Sequence, residues 1–153
     1  MKVFFSLIFI ILLSNCGFKA VNVNYLDDYQ ININNLKGDK RIAFLLKNKL
    51  GLKNREATKL INMDIDLKKV KTIKEKNINN EITKYEITIE AKVKLNLNEK
   101  GATKEFMVRK STVYDVSNIY STTINSEKTS TKNLVNDISN KIIQDLRLIL
   151  NDS

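Results

Sequence analysis

The chain has no histidine, no tryptophan and no proline, and it has one cysteine and four glycines among 153 residues. Without histidine it can form neither a Ser-His-Asp triad nor an imidazole-ligated zinc site. A single cysteine excludes an internal disulfide and a thiolate zinc cluster. The Gly-x-Ser-x-Gly and Ser-x-x-Lys motifs of serine hydrolases are also missing. We therefore expect a protein that is not an enzyme, with no catalytic residues, no metal site and no cofactor.

The N-terminal residues have the pattern of an export signal. Lys2 gives a positive start, and the apolar segment 3–13 follows, interrupted only by Ser6. At about 1.5 Å per residue this segment is roughly 16 Å long, about half of a bilayer's hydrocarbon core. That length favours a signal peptide over a spanning helix. The next residues resemble a bacterial lipobox, in which the cysteine is acylated and becomes the first mature residue: Leu13-Ser14-Asn15-Cys16-Gly17.

These signals predict the organisation of the chain. We expect a lipoprotein signal peptide at 1–15, a lipidated tether at 16–24 that begins with Cys16, and one domain at 25–153. The alternative is that Cys16 is only a small buried side chain. Several acyl chains, such as palmitate, would anchor the protein stably, because each buried CH₂ contributes about 0.8 kcal/mol. Gly17 after the cysteine resembles lipoproteins released to the outer membrane of Gram-negative bacteria, facing the periplasm.

The charge is unbalanced, with 26 Lys and Arg against 17 Asp and Glu and a formal net charge of +9. A basic chain in the cytoplasm would suggest nucleic acid, but an exported chain meets none. The polyanion at the expected location is lipopolysaccharide, which carries phosphates. A generally basic surface with no specific anion is the alternative.

The apolar pattern predicts a strand, a helix, three strands and a closing helix. Alternation over 29–34 indicates the first strand. The first helix is expected from Asp39, as N-cap, to Leu50. The second strand begins near Ile61, and its pattern changes phase at Lys68-Lys69, which suggests a bulge there.

Residues 85–97 alternate apolar and polar without a break, and this strand therefore has one covered and one solvated face. Another strand is expected from Phe106 to Val116, and Asn125-Ser126 is a plausible cap for a helix ending near Leu150. The predicted fold is an α+β two-layer sandwich, with two helices packed on one face of a mainly antiparallel four-stranded sheet.

Five segments follow one another along the mature chain: Cys16-Gly17-Phe18, the helix with Leu45, Leu46 and Leu50, Lys84-Tyr85-Glu86-Ile87, Tyr114-Asp115 followed by Tyr120, and the closing helix 133–150. In this order they resemble the LPS-assembly lipoprotein family, LptE. The resemblance covers essentially the whole mature chain. It implies a protein that plugs the lumen of the outer-membrane β-barrel LptD in a one-to-one complex, helps to assemble that barrel, and binds lipopolysaccharide on its way to the outer leaflet.

The resemblance also implies which residues contact lipopolysaccharide. The family has a basic residue shortly before the turn between the second and third strands, and Lys74 and Lys76 match it. A second contact precedes the last helix of the family, where Lys128 has the charge. The alternative for the hairpin lysines is a solvated tip that discourages pairing between strand edges.

Another function fits the same signals. An auxiliary lipoprotein subunit of a lipid-transporting ABC system would share the lipobox and the order of strands and helices. The partner separates the two hypotheses, because one partner is an inner-membrane transporter and the other is an outer-membrane barrel.

Overall fold

The computed structural model describes residues 29–50, 59–97 and 102–151. The predicted signal peptide, Cys16, the tether and Gly51 lie outside the described residues. Six elements follow in order: β1 (Tyr29–Lys37), α1 (Lys40–Leu50), β2 (Lys59–Lys76), β3 (Ile82–Leu97), β4 (Ala102–Asp115) and α2 (Tyr120–Asn151).

The four strands form one sheet in the order β1-β2-β3-β4. β1 runs parallel to β2, and the β2–β3 and β3–β4 pairs are antiparallel. Both helices cover one face, so the predicted mainly antiparallel α+β sandwich is confirmed. This topology places the start of β1 at one end of the sheet and the β2–β3 hairpin at the other.

The core lies between the sheet and the two helices. The period of two in β3 points Ile87, Ile89 and Leu95 at the helices, and all three have 0 % exposure. α2 packs Ile142 and Leu146 onto them, also at 0 %. A buried side chain of this size contributes roughly 1.5–3 kcal/mol, and the apolar side chains of this core therefore hold the two layers together.

The connection from β1 to α1 depends on two residues. Asp39 is the N-cap that the sequence predicts, and its Oδ1 accepts hydrogen bonds from the backbone N–H groups of Arg41 at 2.9 Å and Ile42 at 3.0 Å. Gly38 has a φ of +106°, and a Cβ there would collide with the carbonyl oxygen of Leu67. The turn therefore needs glycine both for its φ and for the close approach to β2.

The structure corrects the predicted bulge in β2. Pairing with β3 is continuous through Lys68 and Lys69, and the register shifts only on either side of Glu75, near the hairpin turn. The alternation that begins at Ile61 consequently continues, and Lys69 and Lys71 point to the same face as the core. The apolar residue that departs from this alternation is Val70, which points to the open face and is 40 % exposed.

The closing helix begins earlier than the sequence suggests. α2 starts at Tyr120, five residues before the expected cap at Asn125-Ser126. The hydroxyl of Thr123 instead accepts a hydrogen bond from the N–H of Ser117 at 2.9 Å and so closes the turn before the helix. The first turns of α2 therefore lie beside the β2–β3 hairpin, where the N–H of Val116 bonds the carbonyl of Thr83 at 2.8 Å.

Candidate functional site

The turn between β2 and β3 is held by one asparagine. Asn77 Oδ1 accepts from the N–H groups of Asn79 and Glu81, each at 2.9 Å. Asn80 adopts a φ of 63°, the left-handed conformation that asparagine tolerates. Ile78, at the tip, is fully exposed. The predicted turn is confirmed, and its internal hydrogen bonds hold the basic residues on either side in place.

Lys74 and Lys76 lie on this hairpin, as the sequence predicts. The ammonium of Lys74 is 3.3 Å from Glu86 Oε1, and its side chain is 53 % exposed. Lys76 donates to Asn80 Oδ1 at 2.8 Å. An ammonium has three donors, so both lysines can still bind an anion from solvent.

A neighbouring pair shapes the charge of the hairpin. Lys84 and Glu75 lie 2.6 Å apart. The hydrogen bond from Lys84 lowers the pKa of Glu75, and the same bond raises the pKa of Lys84. These two charges neutralise each other, whereas the partner of Lys76 among the described residues is the uncharged amide of Asn80.

A second feature joins the three longest strands to α2, and we term it the Glu127 cluster. Its residues are Glu127, Lys69, Lys71, Tyr85 and Tyr114. Glu127 of α2 lies 3.0 Å from the ammonium of Lys69 and 2.8 Å from that of Lys71. Tyr114 donates its hydroxyl to Glu127 at 3.0 Å. Lys71 also lies over the ring of Tyr85, 4.2 Å from its centroid, and the rings of Tyr85 and Tyr114 stack at 5.8 Å.

The electrostatics of the Glu127 cluster follow from these contacts. The hydrogen bond from Lys71, together with those from Lys69 and Tyr114, holds the pKa of Glu127 at about 2 against partial burial. Burial disfavours the charge of Lys71, but the hydrogen bonds of Glu127 and Tyr114 outweigh it and raise the pKa of Lys71. Burial raises the pKa of Tyr114. The cluster is therefore internally satisfied and fastens α2 to the sheet.

Lys128 does not join the hairpin lysines. It lines a cleft between the two helices, whereas Lys74 and Lys76 contact residues of the hairpin itself. The sequence pattern alone did not indicate a role for Lys71 or Glu127. The signal that would have found the cluster is the unbroken period of two from Ile61, which carries Lys69 and Lys71 to the helix side.

The open face of the sheet carries alternating charges. Asp64, Lys94 and Glu105 lie side by side on adjacent strands, and Lys94 pairs with Glu105 at 3.4 Å. Lys68, Glu90 and Arg109 form a similar row, in which a negative side chain lies between two positive ones. The solvated face predicted for the strand at 85–97 is confirmed, and Lys92 and Lys94 are exposed on it.

Two further properties concern the described residues. Neither of their helices combines the length and apolarity that crossing a bilayer requires. Among them, no three acidic or thiol side chains come together as metal ligands.

Comparison with solved structures shows the fold to be that of several bacterial lipoproteins. The rare lipoprotein B of Shewanella oneidensis superposes with a TM-score of 0.65 at 12% identity, over 80% of this chain and 97% of the other. A minor lipoprotein of Acinetobacter baumannii gives 0.56 at 8% identity, over 79% and 93%. Lipoprotein B of Nitrosomonas europaea gives 0.56 at 13% identity, over 78% and 81%. This chain shares the fold of these three solved proteins.

No protein-family model matches the sequence, and no curated protein matches it either. At these identities the likeness is one of fold. It spans 81% to 97% of the length of these solved lipoproteins.

Proposed function

We propose that this protein is an LptE-type outer-membrane lipoprotein. In this proposal Cys16 anchors it to the membrane, the domain fills the lumen of an LptD-type β-barrel and helps to assemble it, and the hairpin binds lipopolysaccharide in transit. The observation that carries the proposal is the fold, which matches the rare lipoprotein B over 97% of that chain. The lipobox-like segment at Cys16 agrees with it from the sequence.

The surface of the domain supports the role of a plug. The lumen of a wide outer-membrane barrel is polar, and the open face of the sheet presents rows of alternating charge to whatever surrounds it. Such rows can pair with polar side chains of a barrel wall without exposing a large apolar patch to water.

The hairpin end supports contact with a phosphorylated lipid. Lys74 and Lys76 supply donors for phosphate. Ile73 and Ile78 are exposed on the same hairpin, at 51 % and 102 %, and can contact acyl chains. Tyr120, 78 % exposed, lies at the start of α2 beside this end. Basic and apolar groups together fit an amphipathic anion better than a simple salt.

The first experiment is recovery of partners from mildly solubilised outer membranes with a C-terminally tagged full chain. We expect a large β-barrel at a ratio near one to one that resists salt, because a plug buries an extensive surface. Recovery of the protein alone, or with an inner-membrane ATPase complex, would contradict the proposal; the second result would favour an ABC-transport subunit.

Lipid contact is tested separately with the double variant Lys74→Gln/Lys76→Gln. We expect lipopolysaccharide binding to weaken about tenfold, since each lost charge-assisted contact costs roughly 1.5–3 kcal/mol at most and exposed ones less. The control Lys47→Gln/Lys49→Gln removes the same charge from the last turn of α1. Equal affinity of the two double variants would show that the hairpin is not the lipid site.

A further inference from the structure

The two edges of the sheet differ in regularity. The order β1-β2-β3-β4 leaves one side of β1 and one side of β4 without a paired strand in the described part of the chain. The register of β1 shifts between Ile33 and Asn35, and a bulge of this kind discourages further pairing at an edge. β4 keeps one register with β3 from Ala102 to Asp115, without a shift and without proline. The outer side of β4 is therefore a long, regular edge that can accept another strand.

The side chains of β4 on the open face have a symmetric order. Glu105 and Arg109 lie on either side of Met107, two residues from it, so all three share that face. Met107 is 58 % exposed. The side chain of Glu105 is 66 % exposed beside Lys94, and Arg109 is exposed and forms no ion pair with another described residue. An apolar side chain thus lies between two opposite charges, and all three are accessible to a second molecule.

This order is complementary to itself across a two-fold axis. If two β4 strands pair antiparallel with Met107 opposite Met107, Glu105 of each copy lies opposite Arg109 of the other. Two further pairs of opposite residues follow from this register: Thr103 with Ser111 and, on the helix side, Phe106 with Val108. Unlike charges, paired hydroxyls and aromatic–β-branched pairs are cross-strand contacts that stabilise an antiparallel sheet. A shift of the register in either direction separates Glu105 from Arg109 and removes both ion pairs.

We propose that β4 is an interface between two copies of this chain, which pair antiparallel through residues 102–112 with Met107 at the centre. The pairing joins the two sheets into one continuous sheet, with the helices of both copies on the same side. Each copy uses the same surface, as a two-fold dimer requires. The dimer is the form of the chain that has not met a barrel, because the proposed function places a single copy in each lumen. It does not otherwise depend on that function.

Two lysines keep this interface reversible. Lys104 and Lys110 are paired with the buried Leu95 and Ile89 of β3, so both point to the helix side. In the proposed register, Lys104 of each copy lies opposite Lys110 of the other, and like charges directly opposite weaken an antiparallel pair. Charged side chains on an edge strand also limit uncontrolled pairing. We therefore expect a dissociation constant in about the micromolar range, as for a small reversible interface.

Single cysteines in the full chain test the register. Opposite residues of an antiparallel pair have Cα atoms about 4.5–5.5 Å apart, a distance that a disulfide can span. In detergent, with copper phenanthroline as the oxidant, Met107→Cys should form a disulfide-linked dimer. Ser111→Cys should not, because its two copies would lie roughly 27 Å apart along the strands. The wild type controls for the thiol of Cys16.

A mixture of variants defines the register further. Equimolar Thr103→Cys and Ser111→Cys should give a cross-linked heterodimer, and neither variant alone should cross-link. Equal yields from Met107→Cys and Ser111→Cys would indicate random collision. That result, or no dimer of Met107→Cys, would overturn the proposal. The same lack of a dimer is expected if the edge is occupied by a strand of another protein, since the purified chain would then stay monomeric.

Charge reversal tests the ion pairs without a new thiol. Arg109→Glu and Glu105→Arg each place like charges opposite one another in the dimer, so each should raise the dissociation constant at least about tenfold. An equimolar mixture of the two should associate as tightly as the wild type, because every opposed pair is again unlike. Such recovery also shows that both variants are folded. Sedimentation velocity measures the association, and a mixture that associates no better than its components would overturn the proposal.

The matched control is Arg147→Glu, which makes the same change of charge at an exposed position of α2 and should dimerise like the wild type. All of these measurements use the purified chain without a barrel. Their failure would leave the proposed function untouched, and failure to recover a barrel from outer membranes would leave the dimer untouched.

Discussion

Glu127 is the residue through which the closing helix is bound to the polar end of the sheet. Its carboxylate is 22 % exposed and contacts two ammonium groups and a phenol. Groups of this kind link protonation to folding, because the folded protein favours the charged form over the protonated form.

We expect Glu127→Gln to lower the free energy of unfolding by about 2 kcal/mol at pH 7. The pKa of Glu127 falls from 4.5 to about 2 on folding, so its stabilisation is complete above about pH 4.5 and is lost as the pH falls towards 2. Urea unfolding at several pH values measures this, and the variant should show a flatter pH dependence over that range.

The control for this prediction is Glu105→Gln, which removes an exposed carboxylate at 3.4 Å from Lys94. It should change the stability by less than about 0.5 kcal/mol. A similar loss in the two variants would mean that the Glu127 cluster adds nothing beyond an ordinary surface ion pair.

Gly38 is a second residue with a defined physical role. We expect Gly38→Ala to destabilise the protein by about 3 kcal/mol or more, because a φ of +106° is strained for alanine and the new Cβ meets the carbonyl of Leu67. Thermal unfolding measures this, and the control is Lys37→Ala at the exposed neighbouring position. Its free energy of unfolding should lie within about 0.5 kcal/mol of that of the wild type. A tolerated alanine would show that the β1–α1 turn can rearrange.

At the scale of elements, α1 depends on its cap. Asp39→Ala removes the acceptor of two backbone N–H groups and should cost about 1 kcal/mol, whereas Asp39→Asn keeps an acceptor and should cost less. Chemical denaturation of both variants gives the comparison. Equal losses for the two would mean that the charge of Asp39, and not its cap, matters.

The sequence predicted the elements whose apolar pattern is regular. β3 has seven inward positions in strict alternation, and α1 has a cap and an apolar stripe, so both were predicted close to their observed bounds. β2 was misread beyond Leu67, because the inward positions there are Lys69 and Lys71 and the outward Val70 is apolar. Lysine suits that face because it meets the carboxylate of Glu127 on α2, 56 to 58 residues away, and Lys71 also meets the ring of Tyr85.

The start of α2 was misread for a related reason. The apolar stripe of this helix begins at Leu134, and the preceding turns are rich in serine and threonine, which have no helical periodicity. Tertiary contacts hold these turns against the sheet, among them the ion pairs of Glu127 with Lys69 and Lys71. Apolar periodicity marks only the part of a helix that packs on the core, so it does not indicate turns that pack on polar groups.

At the scale of the molecule, the predicted site residues separate into two places. Lys74 and Lys76 share the hairpin, and Lys128 lies in the interhelical cleft with Arg41 and Lys132. Sequence spacing gives no sign that residues 41 and 132 meet, because that depends on how α1 crosses α2. The cation cluster of the cleft is therefore visible only in three dimensions.

The anchoring of the whole molecule is also testable. Cells grown with labelled palmitate should yield a labelled wild-type protein, and Cys16→Ser should carry no label, because the chain has no other thiol. The variant should also be absent from the outer membrane. Label that persists in Cys16→Ser would place the acyl chain elsewhere, and no label in the wild type would contradict the lipobox interpretation.

The parallel pairing of β1 with β2 has a mechanical consequence. In the proposed function, a tether on the N-terminal side would pull at Tyr29, and a partner that holds the β2–β3 hairpin would pull at the opposite end of the sheet. Tension between these points runs along the strands, so the pairing from Tyr29 to Lys37 is loaded in shear and its hydrogen bonds share the force. An antiparallel first strand would begin beside the hairpin and would peel away one bond at a time, so the observed topology makes the tethered end the stronger attachment.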